Sequence, residues 1–290
     1  MTPLALSLLV LLGQAPDTGL RGRIEARIAA APARTVGVYY RDLTTGDSLA
    51  LGAGLRLHAA STMKIPVMIQ LFRDRDADLL SLDDSITVTN TFRSIVDSSP
   101  YRLDPADDSD STLYARIGER VAIRDLIELM ETVSSNLATN LLIARVDARR
   151  ANATARALGA DSILVLRGVE DGKAYRAGLN NTTTARDLGV LLAAIARGRA
   201  ATPASSRDML AILGRQHFNE GIPAGLPAGM RVYHKTGWVG GLVYHDAAIV
   251  ERPAGSRYVL VVLTGGIEQN ADAYALVRDI SRMIYEATAR

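Results

Sequence analysis

Apolar positions follow a helical spacing through the middle of the chain and a strand spacing at both ends. Residues 20–31 read as an amphipathic helix, with Ile24 and Ile28 at i, i+4 and arginines on the other positions. Residues 35–43 and 49–51 read as strands joined across Thr44-Thr45-Gly46-Asp47, a turn signal. Residues 61–73, 121–133, 137–146 and 184–196 show the three-to-four-residue recurrence of helices. The pattern then changes: residues 231–235, 243–250 and 258–264 are β-branched or aromatic runs bounded by Gly, Pro and Glu-Arg, as antiparallel strands are. Residues 271–287 close the chain as a long helix. Strands at both ends around a helical middle predict an α+β fold: an antiparallel sheet built from both chain ends, flanked by terminal helices, with an all-helical region inserted.

Composition narrows the function classes. The chain has 290 residues, 48% of them apolar and 22% charged, enough for a large core. The absence of Cys excludes a catalytic thiol and a Cys-ligated metal. A formal net charge of +2 gives no reason to expect nucleic acid or an anionic membrane as partner. Residues 4–12 form an apolar run followed by Gly13-Gln14-Ala15, a small-x-small cleavage pattern. That run is too short to span a bilayer but fits a secretory leader over residues 1–15, although the first Arg is Arg21 and no basic stretch precedes it. The mature chain is then expected in the periplasm or outside the cell. Asp107, Asp108 and Asp110 lie in an acidic stretch, but without the Gly and distal Glu of a calcium loop they read as a solvated surface loop.

Of the 33 basic residues only Lys64, Lys173 and Lys235 are lysines. Lys64 ends Ser61-Thr62-Met63-Lys64 at the start of a helical run, where i, i+3 spacing puts hydroxyl and amine on one face. Ser61 could also be a plain helix cap, but a cation in the first turn opposes the macrodipole, and only Lys, not Arg, can act as a base there. Ser134-Ser135-Asn136 sits between two predicted helices, and Ser135 could cap the second. His234-Lys235-Thr236-Gly237 ends a predicted strand, placing a cation, a hydroxyl and an unobstructed backbone along one groove wall. With three lysines, Ser-x-x-Lys arises by chance in about one such chain in five, and Lys-Thr-Gly in about one in fifty. Both in order, with Ser-x-Asn between them, form a specific combination.

That combination resembles the serine penicillin-recognising enzymes, and within them the class A β-lactamases, a family defined by this motif trio. The resemblance runs from about Arg23 to Arg290 and includes METVSSNLATNLL (residues 130–142) and NTTTARDL (residues 181–188). It implies a β-lactamase/transpeptidase-like catalytic domain over residues 16–290, with an α/β part of about 18–58 plus 205–290 and a helical part of about 59–204. It implies Ser61 as acylated nucleophile, Lys64 as its base, and Ser134 as proton shuttle to the leaving nitrogen. Asn136 would bind the substrate's side-chain amide, and Lys235 and Thr236 its carboxylate. The amides of Ser61 and Trp238, beside Gly237, would form the oxyanion hole. The expected substrate is a small β-lactam or cell-wall peptide, handled by a monomer with no cofactor and no metal.

Two departures matter. Ser135 stands where the family usually has Asp. The family's Glu-x-x-Leu-Asn element is also missing: Glu170 is the only glutamate in the loop of residues 166–184, and Leu179-Asn180 comes too late for it. Glu170 is the candidate base for deacylation, Asp171 its rival, and a plain ion pair of Glu170 with Arg167 or Lys173 the alternative. Arg231 is a candidate for assisting carboxylate binding. Other chemistries fit less well. There is no Gly-x-Ser-x-Gly element, and His58, His217, His234 and His245 show no metal-ligand spacing, so His245-Asp246 reads as packing. A D-alanyl-D-alanine peptidase or a slowly deacylating penicillin-binding protein would share the acylation residues and differ only in deacylation.

Overall fold

The structure is a computed structural model that describes residues 19–289; the expected leader lies outside them. Five antiparallel strands form the main sheet: β1 (Thr35–Asp42), β2 (Ser48–Leu51), β3 (Arg231–Val239), β4 (Val243–Glu251) and β5 (Arg257–Gly265). Their order is β2-β1-β5-β4-β3, so the two chain ends meet where β1 pairs with β5, Val38 opposite Val262. Every residue of β4 and all but the first of β5 are buried, because helices cover both faces. Alternation sorts the side chains. Val38, Tyr40, Leu260 and Val262 face the terminal helices α1 (Leu20–Ala29) and α9 (Asn270–Thr288), while Tyr39, Val259 and Val261 face the inserted helices.

The insertion is built around α2 (Lys64–Asp76), buried at every residue from Lys64 to Phe72, as a helix at the centre of a bundle must be. It packs on α4 (Asn136–Val146), α5 (Ala148–Ala157) and α8 (Pro203–Leu213), with α3 (Ile123–Thr132) beside α4. A short α6 (Gly172–Arg176) and α7 (Ala185–Ala196) complete it, α7 lying against the sheet. The predicted elements are present with ends shifted by a few residues. The spacing gave no warning of α5, whose sequence ARRANATARA has no large apolar residue. No described helix is long and apolar enough to cross a membrane.

The acidic stretch departs from the expected solvated loop. Asp110 is buried, and Asp108 turns inward to accept hydrogen bonds from the backbone N–H groups of Asn136 and Leu137 (each 2.9 Å) and from the Tyr114 hydroxyl (3.0 Å). Ser135 Oγ accepts from Ala138 N (3.3 Å) and Ser135 N donates to Leu129 O (3.0 Å), so all four free N–H groups at the start of α4 are satisfied. A carboxylate from a different loop thus caps the helix beside Ser135. Asp108→Ala is expected to cost about 1–2 kcal/mol, lowering Tm by roughly 2–8 °C in a thermal melt; an unchanged melt would contradict this capping role.

Candidate active site

Ser61 lies in a tight turn, Ala60–Met63, that runs into α2. It does not cap the helix: the cap position is Met63, with no side-chain bond. Two histidines set the turn. His58 Nδ1 accepts from Ala60 N (3.1 Å), and Ala60 is held at φ +46°, a left-handed conformation costly for a residue with a Cβ. His245 Nε2 donates to the His58 carbonyl (2.8 Å), because Thr264 N donates to its Nδ1 (3.3 Å) and burial depresses its pKa to about 4, leaving a neutral ring. His245 is therefore packing and scaffold, as its place on a strand suggested, while Asp246 pairs with His234 (2.9 Å). From the other side, Gly237 brings β3 against the turn. A Cβ there would lie 3.1 Å from Ser61 N and 3.2 Å from Ala60 Cβ, so this glycine permits the close approach of the strand to the Ser61 turn.

Behind Ser61 two fully buried lysines converge on one hydroxyl. Lys64 Nζ donates to Ser134 O (2.7 Å), Ser134 Oγ (3.0 Å) and Asn136 Oδ1 (3.2 Å); Lys235 Nζ donates to Ser134 Oγ (2.9 Å) and Thr236 O (3.0 Å). Ser61 Oγ is not among the hydrogen-bond partners of Lys64. Ser134 is itself held at φ +60°. Burial, and then the charge of Lys235, hold the Lys64 pKa well below that of an ordinary lysine, so a neutral amine is accessible. The macrodipole considered from the sequence is not needed for that shift.

Glu131, on α3, was not singled out from the sequence. It is buried, and neither carboxylate oxygen has a hydrogen-bond partner among the described residues. Burial pushes its pKa up, the charges of Lys235 and Lys64 pull it back, and its own charge favours the protonated form of both lysines. Removing that charge makes both ammonium groups more acidic. Glu131→Gln is therefore expected to move both limbs of the pH profile for Ser61 acylation to lower pH, by roughly half a unit or more. A profile that stays in place would exclude Glu131 from this charge balance. Helical periodicity hides such a residue, because Glu131 follows Arg124 and Glu128 along α3 and reads as part of a solvated face.

Glu170 and Asp171 both border the groove beside Ser61, and they differ in what holds their carboxylates. Asn136 Nδ2 donates to Glu170 Oε1 (2.8 Å), and Asp104 N donates to Oε2 (3.3 Å). Half-burial raises the Glu170 pKa, the bonds from Asn136 and Asp104 oppose this, and the charges of Asp108 and Asp107 add to it. The alternative ion pairs are absent. Arg167 donates to Leu179 O, Gly168 O and Asn180 Oδ1, and Lys173 to Asp97 (2.9 Å). Asp171 accepts from Ser94 Oγ, Ile95 N and Ala174 N, so it ties down the loop and caps α6. Asn140, one turn after Asn136, accepts from Val169 N (2.7 Å) and donates to Val169 O (3.1 Å). Two asparagines at i, i+4 on α4 therefore hold Glu170, by its side chain and by its neighbour's backbone, with Glu170 at φ +61°.

Ser61, Asn136 and Trp238 divide the groove into two lobes. One, of about 280 Å³, contains Glu170, Arg167, His58 and Tyr175. The other, of about 360 Å³, contains Ser134, Thr236 and a rim of acidic and aromatic side chains. Trp238 stands on the edge strand β3, 53% exposed, with its Nε1 donating to Asn270 (2.8 Å). Arg231 lines neither lobe. It lies at the far end of β3, paired with Glu251, because four strand residues carry it about 13 Å from Lys235.

Comparison with known proteins fits this arrangement. The model of the β-lactamase enzyme family matches residues 19–288. Among solved structures, PBP-A is 30% identical, with 95% of this chain and 98% of that one covered at a TM-score of 0.80. A β-lactamase from Sphaerobacter thermophilus DSM 20745 is 29% identical, with 93% and 97% covered at a TM-score of 0.78. A point mutant of PBP-A, solved as an acyl-enzyme complex with penicillin G, is 30% identical, with 95% and 98% covered at a TM-score of 0.79. No curated protein matches the chain.

Proposed function

The chain belongs to the β-lactamase enzyme family, and on that premise we propose that it opens β-lactam amides by two-step acyl transfer through Ser61, in the manner of class A enzymes. Ser61 Oγ attacks the carbonyl while Lys64, as a neutral amine, takes its proton directly or through a water. The carbonyl oxygen becomes an oxyanion facing the amides of Ser61 and Trp238, the latter on an edge strand whose outward N–H groups have no ladder partner. The C–N bond breaks as Ser134 gives its proton to the departing nitrogen and regains one from Lys64, 3.0 Å away. Lys235 and Thr236 hold the substrate carboxylate beside Ser134. Water then attacks the ester, Glu170 removes its proton, and Ser61 leaves with a proton returned through Lys64.

The observation that carries this reading is the Glu170 carboxylate, fixed 2.8 Å from Asn136 Nδ2 in a lobe that also contains Ser61. A hydrolase needs a base on that side of the ester, whereas a protein that only acylates does not. A second reading, a cell-wall peptidase or slowly deacylating penicillin-binding protein, is favoured by the 30% identity to PBP-A. Steady-state rates separate the two. A lactamase turns over penicillin many times per minute and leaves a D-alanyl-D-alanine peptide essentially intact; a peptidase does the reverse.

A further inference from the structure

The lobe beside Ser134 has a charge that carboxylate binding does not call for. Its lining includes Glu220, Asp107 and Asp108, three carboxylates, and no Arg or Lys; the ammonium of Lys235 lies buried beneath it. Asp108 is tied to the start of α4, but Glu220 and Asp107 are exposed, and neither has a salt bridge among the described residues. Facing them are Phe218, Tyr244 and Tyr274, the two tyrosine rings packed edge to face at 4.7 Å. Tyr244 is only 5% exposed, and its hydroxyl is buried with no hydrogen-bond partner among the described residues, so the residue offers the lobe its ring. Aromatic faces beside uncompensated carboxylates suit an organic cation, which gains from the ring quadrupoles and the negative field together. Because Ser134 belongs to this lobe and Glu170 to the other, what the lobe receives is the part of the substrate attached to the departing nitrogen.

We propose that this lobe selects substrates whose leaving-group side carries a positive charge: a zwitterionic β-lactam with its carboxylate at Lys235 and Thr236 and a quaternary ammonium or pyridinium beyond it, against Glu220, Tyr274 and Phe218. The proposal rests on the acyl-transfer reading and adds to it a substrate class. The test uses two cephems with the same acyl side chain. In one the C3 vinyl arm ends in an N-methylpyridinium ring, and in the other in a tolyl ring of the same size. Each kcat/KM is divided by the compound's own alkaline hydrolysis rate, and acylation of Ser61 is followed by intact mass. The pyridinium compound is expected to be preferred by about tenfold at low ionic strength, with the preference shrinking in salt and falling toward parity in Glu220→Gln. A ratio within twofold of unity, or one that Glu220→Gln leaves in place, overturns the proposal while the acyl-transfer reading stands. If neither compound acylates Ser61, the reading itself falls and the proposal with it.

Discussion

Glu170→Gln is expected to convert turnover into a single burst: one equivalent of β-lactam opened quickly, then a steady state slower by about 10²–10⁴-fold. Gln keeps the size of the side chain, and its one carbonyl oxygen can keep the shorter bond from Asn136 Nδ2 while the longer one from Asp104 N is lost. What it loses is the proton acceptor for the attacking water, worth roughly 3–5 kcal/mol of barrier on that step. Acylation, which the proposed mechanism assigns to Ser61, Lys64 and Ser134, should change far less. Stopped-flow absorbance at the β-lactam band separates the phases, and steady turnover within twofold of the unsubstituted enzyme would remove Glu170 from the mechanism. The same assignment fixes a pH dependence. Glu170 works as the carboxylate, and its pKa is raised by burial and by Asp108 and Asp107. Deacylation must therefore fall as pH drops through a value above the usual carboxylate range.

Lys64→Arg should slow acylation by about 10³-fold or more, because a guanidinium stays charged and cannot accept the Ser61 proton. The site is fully buried and already holds Lys235, so the larger cation also strains it. Lys64→Met is the companion variant, similar in length and without the amine, and thermal melting of both confirms that the fold is kept. Acylation by either folded variant at more than a tenth of the original rate would mean that another group takes the proton.

Much of the fold could be read from the chain because its signals are local. The β-branched runs at both ends pair as β1, β5, β4 and β3, and apolar spacing placed α2, α3, α4, α7 and α9. Ser61, Lys64, Ser134, Asn136, Lys235, Thr236 and Gly237 were legible as motifs, and the structure brings them to one groove floor. The rest depended on contacts distant in sequence. Asp108 reads as one more acid in a polar loop until α4 arrives to be capped. Asn140 reads as one more helical asparagine until the Val169 backbone docks on it and fixes the residue next to Glu170. Glu131 continues the polar face of Arg124 and Glu128, and only the packing shows that it alone of the three is buried, within the field of Lys64 and Lys235. The three lysines also separate: Lys64 and Lys235 share Ser134, whereas Lys173 is half-exposed and pairs with Asp97 in a surface contact that adds little.

The most direct measurement is intact-protein mass spectrometry on the enzyme mixed with penicillin G and quenched at times from milliseconds to minutes. Two-step acyl transfer predicts a mass gain of one whole penicillin, mapped by peptide digestion to Ser61, that decays as the opened product is released and is absent in Ser61→Ala. Penicillin consumed with no adduct at any time, or an adduct on another residue, would contradict it.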